Sequence, residues 1–207
     1  MCQLGVLRMK SARRFFTDGE MRDFLRKLRQ KARGGRLIDK IDLALVTFAW
    51  ATGCRSSEIA SASLDPRQSN WIDLQAGLLT ITDAKYDSRG TIPLDASSLR
   101  VIRHYVREVR PRIRNAEVMH QLFLTKTGSL YTSNKMTKKL RMLLKRYGLD
   151  DKSAHSFRHF FCTDLLRRGV ALHETKALMR HRDVRSTMVY SHATVDDLRA
   201  AVNRRIG

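Results

Sequence analysis

The segment from Ser153 to His192 decides how this chain is interpreted: it contains S-A-H-S-F-R-H-F-F at residues 153–161, L-M-R-H-R-D at 178–183 and T-M-V-Y-S-H at 187–192. This segment supplies imidazoles, an arginine and a tyrosine, but no set of carboxylates suited to binding a metal ion. Arginine binds phosphate oxygens through paired N–H donors, and imidazole exchanges protons near neutral pH. The segment therefore suits chemistry on phosphate without a metal ion.

The length and charge of the chain limit its class. The 207 residues are enough for one large domain or two small ones and for a substantial core. Lysine and arginine number 40 against 20 aspartates and glutamates, spread along the whole length, which favours a polyanionic partner. No repeat or flexible linker is evident, so we expect a basic leader at 1–16, one domain at 17–193 and a C-terminal helix at 194–207.

The composition disfavours several classes of protein. No apolar run reaches the roughly 18 residues that a membrane span requires, and Met1–Lys10 is too short and too polar for a secretion signal. The cysteines, Cys2, Cys54 and Cys162, are odd in number and form no CxxC pair, so neither a disulfide framework nor a zinc ribbon is indicated. We therefore expect a soluble cytoplasmic protein with reduced thiols, buried at Cys54 and Cys162.

The first part of the domain is predicted to be helical. Thr17 followed by Glu20 forms the T-x-x-E pattern of a capping box, which starts a helix that runs to about Arg33. The segment Ile41–Ala51 is apolar on nearly every side. This pattern predicts a central buried helix that ends at Gly53.

An arginine follows that buried helix in the motif T-G-C-R-S-S-E-I at residues 52–59. Arg55 lies on a turn whose backbone the core would hold, and Glu58 lies three residues on, where it can orient the guanidinium. An arginine held in this way can bind phosphate through two N–H donors. A purely structural ion pair between Arg55 and Glu58 explains the same residues equally well, so both interpretations stay open.

Residues 70–95 change to a β pattern. The short runs W-I-D-L, L-L-T-I-T and T-I-P-L are separated by turn-forming segments at 75–77 and 87–90, which predicts a three-stranded antiparallel sheet. Lys85 lies at the end of the second strand, where its side chain can reach away from the sheet. A single lysine in a turn is usually only solvated. Lys85 is therefore a candidate functional residue only in combination with the other candidate residues.

Two further helices carry basic residues. The segment Asp95–Arg110 is predicted to form a helix with a basic row beside its apolar face, either a rail for a DNA backbone or a solvated flank. The row consists of Arg100, Arg103, Arg107 and Arg110.

Ser133 is predicted to cap a helix that runs to Tyr147 and stops at Gly148. We expect four of its six cations to lie in or along a DNA groove. They are Lys135, Lys138, Lys139 and Arg141.

Taken together, these motifs resemble those of the catalytic domain of the tyrosine recombinases, the family of lambda-type integrases and chromosome-dimer resolvases. The resemblance extends from about Thr17 to the end of the chain. The matching motifs, in family order, are T-G-C-R-S-S-E with Arg55, the hairpin residue Lys85, H-S-F-R-H with His155 and Arg158, L-M-R-H with His181, and V-Y-S-H with Tyr190. The resemblance implies an α+β, mainly helical fold with a small three-stranded antiparallel sheet.

The resemblance also implies a mechanism for DNA recombination and integration. The catalytic residues would be Arg55, Lys85, His155, Arg158, His181 and Tyr190, with Glu58 in a supporting role. The two arginines and His181 would stabilise charge on the phosphate. His155 would accept the proton of Tyr190, and Lys85 would protonate the leaving 5′ oxygen. The 3′-phosphotyrosyl product would be reversed by a second DNA 5′-hydroxyl, so no ATP, metal ion or other cofactor is implied.

Some features depart from the common pattern of the family. Arg180 stands where a glycine usually precedes the histidine, and the turn at Lys85 lacks the frequent G-K-G glycines. Family members usually carry a helical core-binding domain before the catalytic one, and residues 1–16 are too short to form it. We therefore expect either a truncated chain or a member reduced to its catalytic half.

The partner implied by the resemblance is double-stranded DNA, bound by a homotetramer that assembles from free monomers. No membrane partner is implied. The predicted last helix places Val195, Leu198, Val202 and Ile206 on one apolar face. That face is suited either to packing within the chain or to docking on a neighbouring subunit.

Other functions compete with this interpretation. A type IB topoisomerase-like relaxing enzyme shares the nucleophile and the cations, and a DNA-binding regulator that does not cut would keep the basic surface. His155, His159 and Cys162 also lie at i, i+4 and i+7 on one helical face, a spacing that can hold zinc. Because Ser156 stands where the H-E-x-x-H motif has its glutamate, we predict no metal site and interpret His159 and Cys162 as packing residues.

Overall fold

The architecture is seen in a computed structural model that describes residues 15–83 and 88–180. The elements are helices α1 (Asp18–Arg33), α2 (Leu37–Thr52) and α3 (Ser56–Ser61), strands β1 (Asn70–Asp73), β2 (Leu78–Asp83) and β3 (Ser88–Pro93), and helices α4 (Ala96–His104), α5 (Ser133–Arg146), α6 (Ala154–Arg167) and α7 (Leu172–Met179). The strands pair antiparallel in the order β1-β2-β3. Within the described ranges, no helix combines the length and apolar character needed to cross a membrane. The predicted α+β, mainly helical fold with a three-stranded antiparallel sheet is confirmed.

Helix α1 begins where the sequence predicts, because the capping box forms. The Thr17 hydroxyl accepts a hydrogen bond from the Glu20 N–H (3.1 Å), and the Thr17 N–H donates to Glu20 Oε2 (2.7 Å). Phe16, which the sequence pattern places in the leader, is buried in the core against the rings of Phe24 and Phe157. The packed domain therefore includes Phe16.

Helix α2 is the central helix of the molecule. It begins at Leu37 rather than at the predicted Ile41, and it packs against α1, α4 and α6. Gly53 ends it in the left-handed conformation, with φ 57°. A Cβ on Gly53 would lie 2.7 Å from the ring of Phe161, so both backbone conformation and packing require glycine here. The turn that carries Arg55 therefore leaves α2 from a fixed position.

The helix predicted over Asp95–Arg110 is interrupted. After His104 the chain widens into a π-helical turn and then a 3-10 turn that ends at Arg112. A wider turn rotates the residues that follow it away from the α-helical pattern. The Arg110 guanidinium points inward, where it donates to the carbonyl oxygens of Ala116, Met119 and Gln121. The predicted continuous row of exposed cations is therefore wrong at Arg110.

Helix α5 has nearly the predicted extent. Its N-cap is Thr132 rather than the predicted Ser133, because the Thr132 hydroxyl accepts a hydrogen bond from the Lys135 N–H (3.3 Å). Gly148 follows the helix with φ 73°. The side chains that α5 buries are Met136, Leu140, Leu143 and Leu144. These apolar contacts position the N-terminal end of α5 beside α3, which it contacts.

Candidate active site

A cleft of about 350 Å³ opens where the start of α3 meets the N-terminal ends of α5 and α6. Arg55, His155 and Arg158 line this cleft. The other lining residues are Cys54, Ser56, Ser57, Ser133, Thr137, Ser153 and Ala154. The fold therefore brings together three side chains that the sequence assigns to phosphate chemistry, from segments far apart in the chain.

Arg55 is held at the start of α3 by Glu58. The backbone N–H of Arg55 donates to Glu58 Oε2 (2.7 Å), and Arg55 Nη1 donates to Glu58 Oε1 (3.0 Å). The Arg55 side chain keeps 31% of its surface exposed, and it lines the cleft. The two interpretations of this pair are therefore compatible: the ion pair orients a guanidinium that remains accessible from the cleft.

Glu58 is a fully buried carboxylate shared by several guanidiniums. Besides its contacts with Arg55, its Oε2 lies 2.8 Å from Arg180 Nη2 and 4.0 Å from Arg158 Nη1. Burial alone would raise the pKa of this carboxyl, but Arg180, the Arg55 N–H and Arg158 outweigh burial and lower the pKa. Glu58 is therefore ionised at neutral pH, at the centre of a cluster in which positive charge is in excess.

Arg158 lines the cleft from a buried position, with 2% of its surface exposed. Its Nη1 donates to the Gly53 carbonyl (3.0 Å) and its Nη2 to the Met179 carbonyl. Burial, followed by repulsion from Arg55 and Arg180, lowers the pKa of Arg158 to about 10. The guanidinium is therefore still charged at neutral pH, and it is held where the ends of α2 and α7 meet.

Arg180 is a site residue whose contacts the sequence motifs did not predict. It caps the C-terminus of α7 in the left-handed conformation, with φ 54° and ψ 43°. A non-glycine residue there costs about 1–2 kcal/mol, which explains why glycine is common at this position in the family that the chain resembles. The Arg180 side chain is fully buried against Glu58. The one sign in the sequence that this position is unusual was the arginine that replaces the usual glycine before His181.

His155 occupies the first turn of α6, which begins after its N-cap Ser153. Partial burial lowers the pKa of His155, and the positive charges of Arg158 and Arg55 lower it further. A histidine with a lowered pKa is neutral at pH 7. It can therefore accept a proton at that pH.

His159 and Cys162, whose spacing from His155 would suit a zinc site, are packed inside the protein. The His159 ring stacks on Phe15 with ring centroids 3.3 Å apart, and burial lowers its pKa to about 4. Cys162 is buried, as is Cys54, and neither forms a disulfide. Across residues 15–83 and 88–180, no group of three or more ligands could hold a metal ion. The stacking of His159 and the burial of Cys162 support their interpretation as packing residues.

The other predicted catalytic residues lie outside the described residues. Lys85 belongs to 84–87, which connect β2 to β3, and both His181 and Tyr190 belong to 181–207. The predicted last helix at 194–206 also lies in that range. Arg180, the last described residue, directly precedes His181 in the sequence.

The four α5 cations predicted to contact DNA divide into three exposed residues and one internal ion pair. Lys135, Lys138 and Arg141 are exposed. Lys139 instead lies against the buried Asp42, with its Nζ 2.5 Å from Asp42 Oδ1 and 14% of its side chain exposed. The Lys139 ammonium is therefore directed into the protein, and its position does not support the expectation that it contacts DNA.

Comparison with known proteins identifies relatives of the chain. A family model described as the phage integrase family matches residues 15–196. Tyrosine recombinase XerD of Listeria innocua serovar 6a is 30% identical over 155 residues, which cover 74% of this chain and 50% of that protein. Tyrosine recombinase XerC of Lactobacillus leichmannii is 26% identical over 188 residues, which cover 90% of this chain and 60% of that protein. The chain thus spans about half the length of the curated relatives it matches.

Solved structures share the fold. The crystal structure of XerA recombinase gives a TM-score of 0.72 at 20% identity, over 92% of this chain and 64% of that one. The Tn1549 transposon integrase, in complex with transposon right end DNA, gives a TM-score of 0.73 at 18% identity, over 94% of this chain and 67% of that one. At these identities the likeness establishes the fold alone. The comparisons do not favour the relaxing enzyme or the non-cutting regulator.

Proposed function

This chain belongs to the phage integrase family, and on that basis we propose that it is a site-specific DNA recombinase that cuts and rejoins DNA through a 3′-phosphotyrosyl intermediate. The observation that carries the proposal is the single cleft lined by Arg55, His155 and Arg158. Two guanidiniums and a neutral imidazole suit attack on a phosphodiester, because the transition state is anionic and the nucleophile must lose a proton. The excess of 40 basic over 20 acidic residues suits DNA as the substrate.

Tyr190 is the proposed nucleophile. Ionising a phenol with a pKa near 10 at pH 7 costs about 4 kcal/mol, so a proton acceptor is needed, and we assign that role to His155. The Tyr190 oxygen bonds to phosphorus while the bond from phosphorus to the 5′ oxygen breaks, and Lys85 donates a proton to that oxygen. A 5′-hydroxyl of a second strand reverses the step and rejoins the DNA without ATP.

Arg55 and Arg158, together with His181, are proposed to stabilise the charge that develops on the phosphate. Glu58 and the Gly53 carbonyl hold the two guanidiniums before any substrate arrives. Donors that are already in place need little reorganisation as charge develops, and such donors stabilise the transition state more than the ground state. This pre-organisation supports a catalytic role for the cleft.

The proposed substrate is double-stranded DNA, bound by a homotetramer that assembles from free monomers. We assign catalysis to residues 17–193, and to residues 194–207 a helix that docks within the chain or on a neighbouring subunit. The exposed cations Lys135, Lys138 and Arg141 on α5 are proposed to contact DNA phosphates. Lys139 is left out of this set because it is paired with Asp42.

Covalent capture tests the proposed function. Duplexes that bind the 207-residue protein are selected from a random-sequence pool. They are then synthesised with a nick near the preferred site, so that cleavage releases a short fragment carrying the 5′-hydroxyl. Loss of this fragment prevents rejoining. Incubation with a chelator present should give a protein–DNA adduct that survives denaturing detergent. Duplexes that bind but never form an adduct would contradict the proposal and favour a regulator. Relaxation of supercoiled plasmid without the selected site would favour a topoisomerase-like enzyme.

The dependence of the reaction on pH should report the state of His155. Its pKa is lowered from the usual 6.5, and the neutral ring is the form that accepts a proton. The base is therefore lost only as the pH falls through that lowered pKa, so adduct formation should keep most of its rate at pH 6.5. Single-turnover rate constants measured from about pH 5 to 8 with saturating duplex record this fall in rate at low pH. His155→Gln should abolish the fall. If the variant shows the same fall in rate, the titrating group is not His155.

Lys138 and Lys139 provide a matched test of the DNA-binding surface. Lys138→Gln should weaken duplex binding and reduce the slope of log Kd against log salt by about 1, because one phosphate contact is lost. Lys139→Gln removes the same charge but leaves Asp42 with one fewer partner, so it should lower the stability by roughly 1–3 kcal/mol and leave the slope unchanged. Fluorescence anisotropy in a salt series and thermal unfolding measure the two effects. An equal change of slope in both variants would show that Lys139 also contacts DNA.

A further inference from the structure

Arg180 is a third guanidinium at the candidate active site, and its environment differs from that of Arg55. The Arg180 side chain has no exposed surface, whereas Arg55 keeps 31%. Arg55 and Arg158 line the cleft and Arg180 does not, so Arg180 does not contact a phosphate bound there. Any effect of Arg180 on the reaction must therefore pass through its neighbours.

The Glu58 carboxylate lies between Arg180 and Arg158. Its Oε2 is 2.8 Å from Arg180 Nη2 and 4.0 Å from Arg158 Nη1, and only the shorter distance is a hydrogen bond. Arg158 donates instead to the carbonyl oxygens of Gly53 and Met179. A buried carboxylate attracts a nearby cation strongly, so loss of the Arg180 charge would draw Arg158 toward Glu58. The Arg180–Glu58 pair thus keeps Arg158 at the two carbonyls.

Arg180 is also held by contacts away from Glu58. Its Nη1 donates to the Leu178 carbonyl (2.9 Å), and its aliphatic part packs over Gly90, where a Cβ would lie 3.1 Å from Arg180 Cγ. Gly90 belongs to β3, the strand that follows the connection containing Lys85. One buried side chain thus contacts both α3, at Glu58, and β3, at Gly90.

We propose that Arg180 is a positioning residue that neutralises Glu58 and thereby holds Arg158 in the geometry that binds the scissile phosphate. This inference rests on the proposed recombinase function. It requires Arg180 to contribute to the rate of strand cleavage and not to the affinity for DNA.

Adduct formation on the selected nicked duplex separates rate from affinity. Arg180→Met keeps an unbranched apolar side chain in place of the arginine stem and removes the charge, so the rate constant at saturating duplex should fall about 30-fold while Kd changes by less than about 3-fold. Arg180→Lys places a cation near Glu58 again and should recover to within about 5-fold of the wild type. Arg168→Met is the matched control, because Arg168 forms an exposed ion pair with Asp164, and it should leave both constants unchanged.

A glycine variant distinguishes the effect of the Arg180 charge from the effect of its left-handed backbone conformation. Arg180→Gly relieves the left-handed conformation, so folding does not depend on tolerating a new side chain there. We expect this variant to be as slow as Arg180→Met, because the charge is lost in both. A glycine variant with the wild-type rate would overturn the proposal.

A double-mutant cycle with Glu58→Gln tests the route through Glu58. The neutral amide no longer attracts Arg158 as a carboxylate does, so Arg180→Met should slow the Glu58→Gln protein by less than about 3-fold. An equal loss in both backgrounds, or a loss that appears in Kd rather than in the rate, would overturn the inference alone. A wild-type protein that forms no adduct with any bound duplex would overturn the recombinase function and this inference together.

Discussion

Tyr190→Phe is expected to abolish the covalent adduct while leaving the selected duplex bound. Phenylalanine keeps the ring but lacks the oxygen that bonds to phosphorus, so the rate of adduct formation should fall by more than about 10⁴-fold. DNA affinity arises mainly from phosphate contacts spread over the protein surface, so Kd should stay within about 3-fold of the wild type. Denaturing gels measure the adduct and anisotropy measures Kd.

Tyr147→Phe is a suitable control for the loss of a tyrosine hydroxyl. Tyr147 lies at the C-terminal end of α5, and the ammonium of Lys31 lies 5.7 Å from the centre of its ring, a contact that phenylalanine preserves. This variant should form adduct at the wild-type rate. Adduct formed by Tyr190→Phe at a comparable rate would place the nucleophile elsewhere in the chain.

Arg158→Met is expected to slow adduct formation by about 10²–10³-fold, the effect of losing one donor aimed at charge that develops in a transition state. The substitution also deprives the carbonyl oxygens of Gly53 and Met179 of a donor. Each unsatisfied carbonyl costs about 1–3 kcal/mol, so the variant should unfold at a lower temperature. The rate is therefore measured well below that temperature, at saturating duplex.

Arg110→Met distinguishes loss of catalysis from loss of stability. Arg110 is a buried arginine that also donates to several backbone carbonyl oxygens, but it does not line the cleft with Arg55 and His155. Its variant should lose comparable stability and keep the wild-type rate while it is folded. Equal slowing in both variants would mean that Arg158 acts through the fold and not on the phosphate.

Local patterns in the sequence predicted most of the elements because their causes are local. The capping box at Thr17, the apolar run that becomes α2 and the alternation that becomes the sheet each involve residues within a few positions of one another. The hydrogen bonds of helix caps and the side-chain periods of helices and strands require no knowledge of distant segments. The motif around Arg55 likewise predicted its contact with Glu58, three residues away.

The sequence by itself determined the mainly helical fold, its small sheet, and the residue types expected at a phosphate-binding cleft. Only the tertiary structure decided that Glu58 pairs with Arg180, which is 122 positions away, that Arg110 turns inward after a π-helical turn, and that Lys139 faces Asp42. Buried charges must find partners or hydrogen bonds wherever the packed chain supplies them. The periodicity of a single helix contains no record of those partners, because they come from other segments.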